Sequence, residues 1–425
     1  MKWLVISSVV GVLAGSASAL FLTSLAWATE TRTAYPKLLY LLPLAGVMVS
    51  YLYTKHGANS GKGNNLIIEQ IQGGKEEIPL RMAPLILFGT IITHLFGGSA
   101  GREGTAVQMS SSFAEYVGKS FKLNEAERKI ILISGISAGF GSVFGTPLAG
   151  TIFGLEVVAF GVIKYYGLYP AFVASFVGDY VTTAWGIGHS HYAIGYIPDF
   201  SLLLLIKVGL AAILFGLAGR LFSKMSHWSK SWFSTTFQNP FARSFVGGVI
   251  VITLVGVVGT RDYIGLGLPL IKESFEGAVS PFAFLLKIIF TTITLGAGFQ
   301  GGEVTPLFVV GSTLGSALSA FLELPPAFLA ALGFIAVFAA ATNTPLACFI
   351  MGIELFGSEA GIYLFMACMI SYFFSGHTSI YTSQLIGASK SQRFKDQEQQ
   401  TTLAVNSSGV KKNVDLNDKF RTVNF

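Results

Sequence analysis

The chain has 425 residues, 52% of them hydrophobic and only 12% charged, where an ordinary soluble domain carries about a quarter charged residues. Its 28 basic and 22 acidic residues leave a net charge of +6. A soluble enzyme does not fit this balance, and an all-α polytopic membrane protein does.

The first apolar run, Leu4 to Thr29, follows Lys2 and contains Ser16-Ala17-Ser18-Ala19, which imitates a secretory signal with a small-residue cleavage site. The run continues through Trp27, longer than a signal core, so residues 1–29 are expected as a retained first helix. A second run spans Leu38 to Tyr53. After it comes a glycine-rich break, Gly61-Lys62-Gly63-Asn64-Asn65, with Asn as a candidate N-cap and a short helix expected to Gln72.

Leu85 to Phe96 again reads as membrane helix and leads into Gly97-Gly98-Ser99-Ala100-Gly101-Arg102-Glu103-Gly104-Thr105. An ionisable group near bilayer depth is expensive and marks a functional site by default. Glycines allow the backbone to leave helical geometry there, which is tolerated only where it lines a cavity or packs in protein. A helix restarting at Thr105 would aim its free N–H groups at that point, a ready anion site. Further apolar runs cover Ser201 to Phe222, Ser244 to Gly259, Phe282 to Gly298 and Ala327 to Thr342. Several are shorter than the roughly 20 residues needed to cross the hydrocarbon, so tilted or broken helices are expected.

Between these runs, the linker from Arg220 to Arg243 carries Arg220, Lys224, Lys230 and Arg243 and no acid. The polar tail after Ser389 carries Lys390, Arg393, Lys395, Lys411, Lys412, Lys419 and Arg421 against four acids. The positive-inside rule places both in the cytoplasm of a multi-pass protein of the cell (plasma or inner) membrane. The tail reads as a solvated, largely disordered end, not a nucleic-acid binder. Cys348 and Cys368 both lie in apolar runs and imply no disulfide framework. The six histidines are scattered, His189 and His191 following the loop-like Gly188; no metal site or cofactor is expected.

A diverged repeat organises the chain. Gly135 to Glu156 aligns without gaps on Gly333 to Glu354, with ten of 22 positions identical, among them Thr146-Pro147-Leu148-Ala149 against Thr344-Pro345-Leu346-Ala347. Upstream, Gly101-Arg102-Glu103-Gly104-Thr105 matches Gly301-Gly302-Glu303-Val304-Thr305. The domains expected are a first helix (1–29), one half carrying the first break (30–199), a second half (200–388) and a polar tail (389–425). Paired, glycine-interrupted apolar segments at corresponding positions point to a midplane transport site. Close helix packing explains the glycines but not a carboxylate in each break.

With Gly376-His377-Thr378-Ser379-Ile380-Tyr381 as a fourth element, the ordered set resembles the CLC family of chloride channels and proton-coupled anion antiporters over nearly all of residues 30 to 390. The resemblance implies a homodimer, each subunit built from two inverted halves around its own pore. It implies that Glu103 is the gate, that Gly63 to Ile67 and Gly301 to Pro306 are the other two anion motifs, and that Tyr381 is the anion-coordinating tyrosine. The departures are informative. Asn64, with Asn65, replaces the family's serine, Thr105 replaces the proline after the gate, and Glu303-Val304 stands where an apolar residue is usual. Val157, after Glu156, replaces the internal proton-transfer glutamate. This pattern is similar to the bacterial fluoride branch, which implies fluoride/proton antiport exporting fluoride. A chloride/proton antiporter or a passive anion channel is the alternative, since the family's channels also carry valine at the latter position.

Fluoride is small and strongly hydrated, so its site must replace water with good donors. The candidates are the Asn64 and Asn65 amides, the Tyr381 hydroxyl and the Gly104 and Val304 helix starts, with the positive ring edges of Phe96 or Phe299 as candidate aromatic ligands. Ionised, Glu103 would fill the donor-lined site; protonated, it would leave, so its alternation with the anion couples the two fluxes. The bland reading is an ion pair of Glu103 with Arg102. Glu303 reads as tuning the inner site or carrying protons, Glu156 and Glu354 as structural caps, and Asp179 as structural or at a dimer edge. Gly97 to Gly101 also fits a G-x-S-x-G nucleophile elbow, with His94 or His377 as the base, but the strand–turn–helix context is missing and no enzyme is expected.

Overall fold

The computed structural model describes residues 1–189, 192–277 and 279–405. His191, Lys411, Lys412, Lys419 and Arg421 lie outside them. The described residues form sixteen α-helices in two consecutive sets of eight. The first set is α1 (Lys2–Ala34), α2 (Leu42–His56), α3 (Asn64–Ile71), α4 (Met82–Leu95), α5 (Glu103–Ser120), α6 (Glu125–Phe144), α7 (Pro147–Glu156) and α8 (Leu168–Ala184). The second is α9 (Leu202–Thr236), α10 (Pro240–Val258), α11 (Leu268–Glu276), α12 (Ala283–Gly296), α13 (Val304–Leu322), α14 (Pro326–Thr342), α15 (Pro345–Phe356) and α16 (Gly361–Phe374). Long helices, short helices and breaks recur in the same order, so the repeat seen over 22 residues extends to whole halves.

Length and burial sort these helices. Five apolar stretches reach at least 18 residues, within α1, residues 36–56, α9, α10 and α13. The 35 residues of α9 run about 52 Å at 1.5 Å per residue, well beyond a hydrocarbon core of roughly 30 Å. By contrast α14 is apolar on every side and buried from Phe328 to Thr342, the mark of a helix enclosed by protein. It packs on α13 backbone to backbone: a Cβ on Gly311 would fall 2.0 Å from the Gly333 carbonyl oxygen, and one on Gly333 would fall 2.1 Å from that of Gly311. Small residues allow such approach where lipid supplies no hydrophobic drive.

Local chemistry fixes the element ends. Asn124 caps α6 in a reciprocal box, its Oδ1 accepting from the Glu127 amide at 3.0 Å while Glu127 accepts from the Asn124 amide at 3.2 Å. Gly145, at φ +74°, closes the same helix in the left-handed region. The Thr-Pro-Leu-Ala elements open α7 and α15 with proline in the first turn, where a missing N–H costs nothing. A two-residue parallel pairing of β1 (Ala159–Phe160) with β2 (Leu385–Ile386) ties the segment after α16 back onto the first half.

That segment corrects one expectation. From Ser389 onward a solvated tail was expected, yet Lys390 is drawn in: its ammonium donates to Asn343 Oδ1, the Tyr372 carbonyl and Ser375 Oγ at 2.5, 2.7 and 3.0 Å. It also lies 3.8 Å from the Tyr372 ring centroid. Charge composition does not reveal a lysine that finds three acceptors and an aromatic face.

Candidate functional site

The two glycine-rich breaks meet. The Gly101 amide donates to the Gly302 carbonyl at 2.6 Å and the Gly302 amide to the Gly101 carbonyl at 2.7 Å, so the breaks of the two halves pair directly, one residue out of register with the sequence repeat. The first break leaves α4 at Gly97 (φ +90°), whose left-handed backbone favours glycine. The Gly265 amide then donates to the Gly98 carbonyl at 3.0 Å. Out of this pairing α5 and α13 start side by side, with their N-termini at the same place.

Glu103 stands at that point and is fully buried. Its carboxylate accepts from the Thr305 amide at 2.9 Å and from the Thr305 hydroxyl, which lies 2.7 and 2.6 Å from the two oxygens. The Arg102 amide contributes at 3.2 Å, and Arg102 Nε at 3.4 Å. The acid of the first half is therefore seated on the first turn of α13 in the second half, as an anion would be. The ion pair with Arg102 is present, but the shorter contacts come from Thr305 in the first turn of α13 and not from the Gly104 or Val304 amides named as helix-start donors. α5 begins at Glu103 rather than Thr105, so the acid belongs to the first turn itself.

Glu103 also walls a cavity of about 20 Å³, lined by Arg102, Thr305, Phe144, Tyr192, Leu268 and Phe308 among others, room for about one water-sized occupant. A vestibule of about 360 Å³ lies toward the Pro240 end of α10, with Asn64, Gln108, Phe299, Gly302, Glu303 and Tyr381 in its wall. Leu268 follows the opposite end of α10, so the two spaces approach the paired breaks from opposite sides.

The other candidate residues divide. Asn64 lines the vestibule, its Oδ1 buried without a partner in the protein, and its Nδ2 lies 3.0 Å from where a Cβ on Gly104 would be. It is not an N-cap: Gly63, at φ +59°, opens α3, which leaves the Asn64 amide for the cavity. Asn65 also lines the vestibule, but its Oδ1 accepts from the Ser383 amide at 3.0 Å. Tyr381 is buried and borders both the vestibule and a smaller cavity shared with Asn64 and Val157. Val304 is buried as the first residue of α13. Phe299 lines the vestibule, whereas Phe96 packs against the main core and lines neither of the two principal cavities.

Glu303, at the position equivalent to Glu103, takes a different path. It stands just before α13 without a side-chain capping bond to it, and accepts from Ser226 Oγ of α9 at 2.5 Å, inside the vestibule wall. At the vestibule rim Lys62 donates to Glu76 and Glu69 at 2.7 and 3.1 Å, hydrogen bonds that hold its ammonium above the usual lysine range. Glu156 and Glu354 are reciprocal caps. Glu156 accepts from the Leu346 and Ala347 amides at 3.2 and 2.9 Å, and Glu354 accepts from the Leu148 and Ala149 amides at 2.9 and 2.8 Å. Asp179 lies 3.6 Å from His189.

The hydrolase reading finds no support. Ser99 Oγ lies 2.9 Å from Thr291 Oγ1, His94 bonds the Thr90 and Ala100 carbonyls, and His377 engages Gln397 and Lys390. Sequence reasoning passed over Thr305 and Ser226. The first was visible as the repeat partner of Thr105; the second had no signal, because only the fold brings α9 to Glu303.

Paired helix starts around a buried carboxylate, between two cavities in an inverted-repeat membrane protein, define an ion-transport protein. The sequence pattern of the voltage-gated chloride channel family matches residues 45–376, and the chain belongs to that family, the CLC ion transporters. It is 48% identical over 398 residues to a chloride/fluoride channel protein of Pseudomonas syringae pv. tomato, covering 92% of this chain and 88% of that one. It is 28% identical to an H(+)/Cl(-) exchange transporter of Cronobacter sakazakii, covering 74% and 72%. A solved CLC-type fluoride/proton antiporter superposes with a TM-score of 0.88 at 35% identity, covering 90% of this chain and 97% of that one.

Proposed function

We propose that the protein is a fluoride/proton antiporter that exports fluoride, with Glu103 as its gate and proton carrier. The observation that carries this reading is the seat of the Glu103 carboxylate on the Thr305 amide and hydroxyl, at the wall of a cavity. An ionised acid there takes the place an anion would occupy. Once protonated it loses its claim on the helix start, and the anion follows. Asn64 stands beside Gly104 in place of the serine of chloride-selective members, and its amide offers fluoride a strong donor. Tyr381, Asn65 and the helix-start amides of Gly104 and Val304 complete the proposed donor set, with Phe299 the better placed of the two candidate rings. Glu303, held by Ser226 in the vestibule wall, is the second proton-handling candidate. By the family resemblance the working unit is a homodimer, in the cell membrane with the basic linker and tail in the cytoplasm.

A passive fluoride channel is the second reading. It is favoured by the name of the Pseudomonas relative and by Val157, at the position of the internal proton glutamate. One experiment separates the two: fluoride efflux from proteoliposomes, read with a fluoride electrode while proton uptake is followed. Antiport predicts stoichiometric proton uptake that Glu103→Gln abolishes. Fluoride flux without protons establishes the channel, and a Glu103→Gln protein that still moves protons at the parent rate removes Glu103 from the gate.

A further inference from the structure

The vestibule contains a cation that the transport reading does not use. Arg243 lies in the first turn of α10 and lines the 360 Å³ space, and its Nε is buried with no hydrogen-bonding partner in the protein. No ion pair among the described residues includes it, whereas Lys62 at the rim is satisfied by two acids. Tyr53, near the end of α2, lines the same space, and its hydroxyl is likewise buried and unpartnered. The two are set together by packing. Ser50 Oγ donates to Ser244 Oγ at 2.9 Å and pins α2 to α10. Tyr53 lies about one turn beyond Ser50 and Arg243 immediately before Ser244, so in antiparallel helices both reach the same end of the pair.

A buried guanidinium edge and a phenol hydroxyl left without partners are costly in an empty pocket. They are well matched to an anion that arrives still partly hydrated: the guanidinium supplies charge and fixed N–H directions, and the phenol one O–H. Lys230 of α9 adds a second positive charge to the wall. We propose that Arg243 and Tyr53 form an anion-capture site in the vestibule, upstream of the Glu103 seat, where small hard anions such as fluoride are held before they reach Asn64 and Tyr381. The basic linker singled out in the sequence thus acquires a role beyond orientation. Arg243 and Lys230 belong to it, and they draw the anion from the side where the exporter must collect it. Fluoride as the ligand rests on the proposed function, but capture itself does not require Glu103 to be the gate.

The test is a split between apparent KM and maximal rate. Fluoride efflux from proteoliposomes is measured against luminal fluoride for the parent, Arg243→Gln, Arg243→Lys and Tyr53→Phe, with proton uptake recorded throughout. Loss of one charge-assisted bond predicts an apparent KM raised about tenfold in Arg243→Gln, with maximal rate and protons moved per fluoride kept, and a smaller rise in Arg243→Lys. If Arg243→Gln does not fold, Tyr53→Phe decides, because it removes a single oxygen: a rise of about threefold supports the site and an unchanged KM overturns it. An unchanged KM in Arg243→Gln, or a lost maximal rate at the parent KM, also overturns it. Failure of the Glu103 reading is distinguishable, because it appears in the protons moved by Glu103→Gln and not in these KM values.

Discussion

Glu156 and Glu354 perform the same task in unequal surroundings, which makes their substitution a quantitative test of the cap assignment. Each carboxylate accepts two backbone N–H groups at the start of the helix that opens the opposite Thr-Pro-Leu-Ala element. Such groups have no partner within their own helix. Glu156→Gln keeps the volume but leaves one carbonyl oxygen for one amide and turns an NH2 toward the other. One buried amide is then stranded, at about 1–3 kcal/mol, and the surviving bond loses its charge assistance, roughly 1 kcal/mol more. When Glu156 is ionised, removing a buried charge that backbone amides stabilise returns part of this, leaving a net cost of about 2 kcal/mol. Glu354 is more exposed, so water replaces the lost acceptor and Glu354→Gln is expected to cost less than half as much. Thermal loss of the monodisperse species on size exclusion in detergent ranks the two variants. An equal or inverted order refutes the argument from burial. Loss of proton uptake in a Glu156→Gln protein of parental stability would move Glu156 from scaffold to proton route.

Two further outcomes follow from the geometry of the breaks and of the C-terminal segment. A Cβ on Gly302 would lie 2.8 Å from the Gly104 amide nitrogen and 3.3 Å from the Gly101 carbonyl carbon, so Gly302→Ala overpacks the paired breaks by about 1–3 kcal/mol. It is expected to cut fluoride flux at least about tenfold, while Gly61→Ala, with nothing within 4 Å of its Cβ, leaves flux at the parent level. Beyond α16, His377 Nε2 accepts the Lys390 amide at 3.2 Å and Nδ1 faces Gln397 Oε1 at 2.7 Å, an arrangement that needs a neutral ring. Burial pushes this imidazole below its ordinary value of 6.5, and nearby Lys390 acts in the same direction. The packed segment therefore has its full stability above about pH 6.5 and loses it as pH falls below that value and through the lowered pKa. Proteolytic release of residues 385–405 should accelerate at acid pH, and His377→Gln should flatten the profile; release independent of pH in the parent would refute this role for His377.

Much of this architecture was legible because membrane burial restricts the residues that can do each job. A backbone that leaves helical geometry at depth needs residues such as Gly97 and Gly301, with φ of +90° and +154°, and a glycine run flanked by apolar segments is conspicuous. The repeat was legible for a related reason: the Thr-Pro-Leu-Ala element of each half donates to the glutamate of the other, Leu148 and Ala149 to Glu354 and Leu346 and Ala347 to Glu156, so both copies need the same pattern. What the sequence hid depends on helices brought together from far apart. Ser226 reaches Glu303 across 77 positions, and Gln384 joins Asn343, the Val157 carbonyl and the Thr342 carbonyl in one buried network. Neither residue has a periodic or compositional mark. Asn64 was read as a cap because the rule for asparagine is statistical, whereas Gly63 in the left-handed region determines where α3 starts.

The two glutamates of the breaks are the point where the repeat stops being symmetrical, and this asymmetry bears on transport. Glu103 and Glu303 occupy equivalent positions 200 residues apart, and an exact twofold would seat each on the other's helix. Only Glu103 is seated in that way, on Thr305; Glu303 turns to Ser226 and faces the vestibule. A symmetrical pair would place two carboxylates on one anion site, where like charges disfavour both ionised forms. Under the proposed cycle, sending one of them to the vestibule wall would leave a single acid to compete with the anion, and would place the second in the wall of the larger cavity, where that cycle has use for a proton-exchanging group.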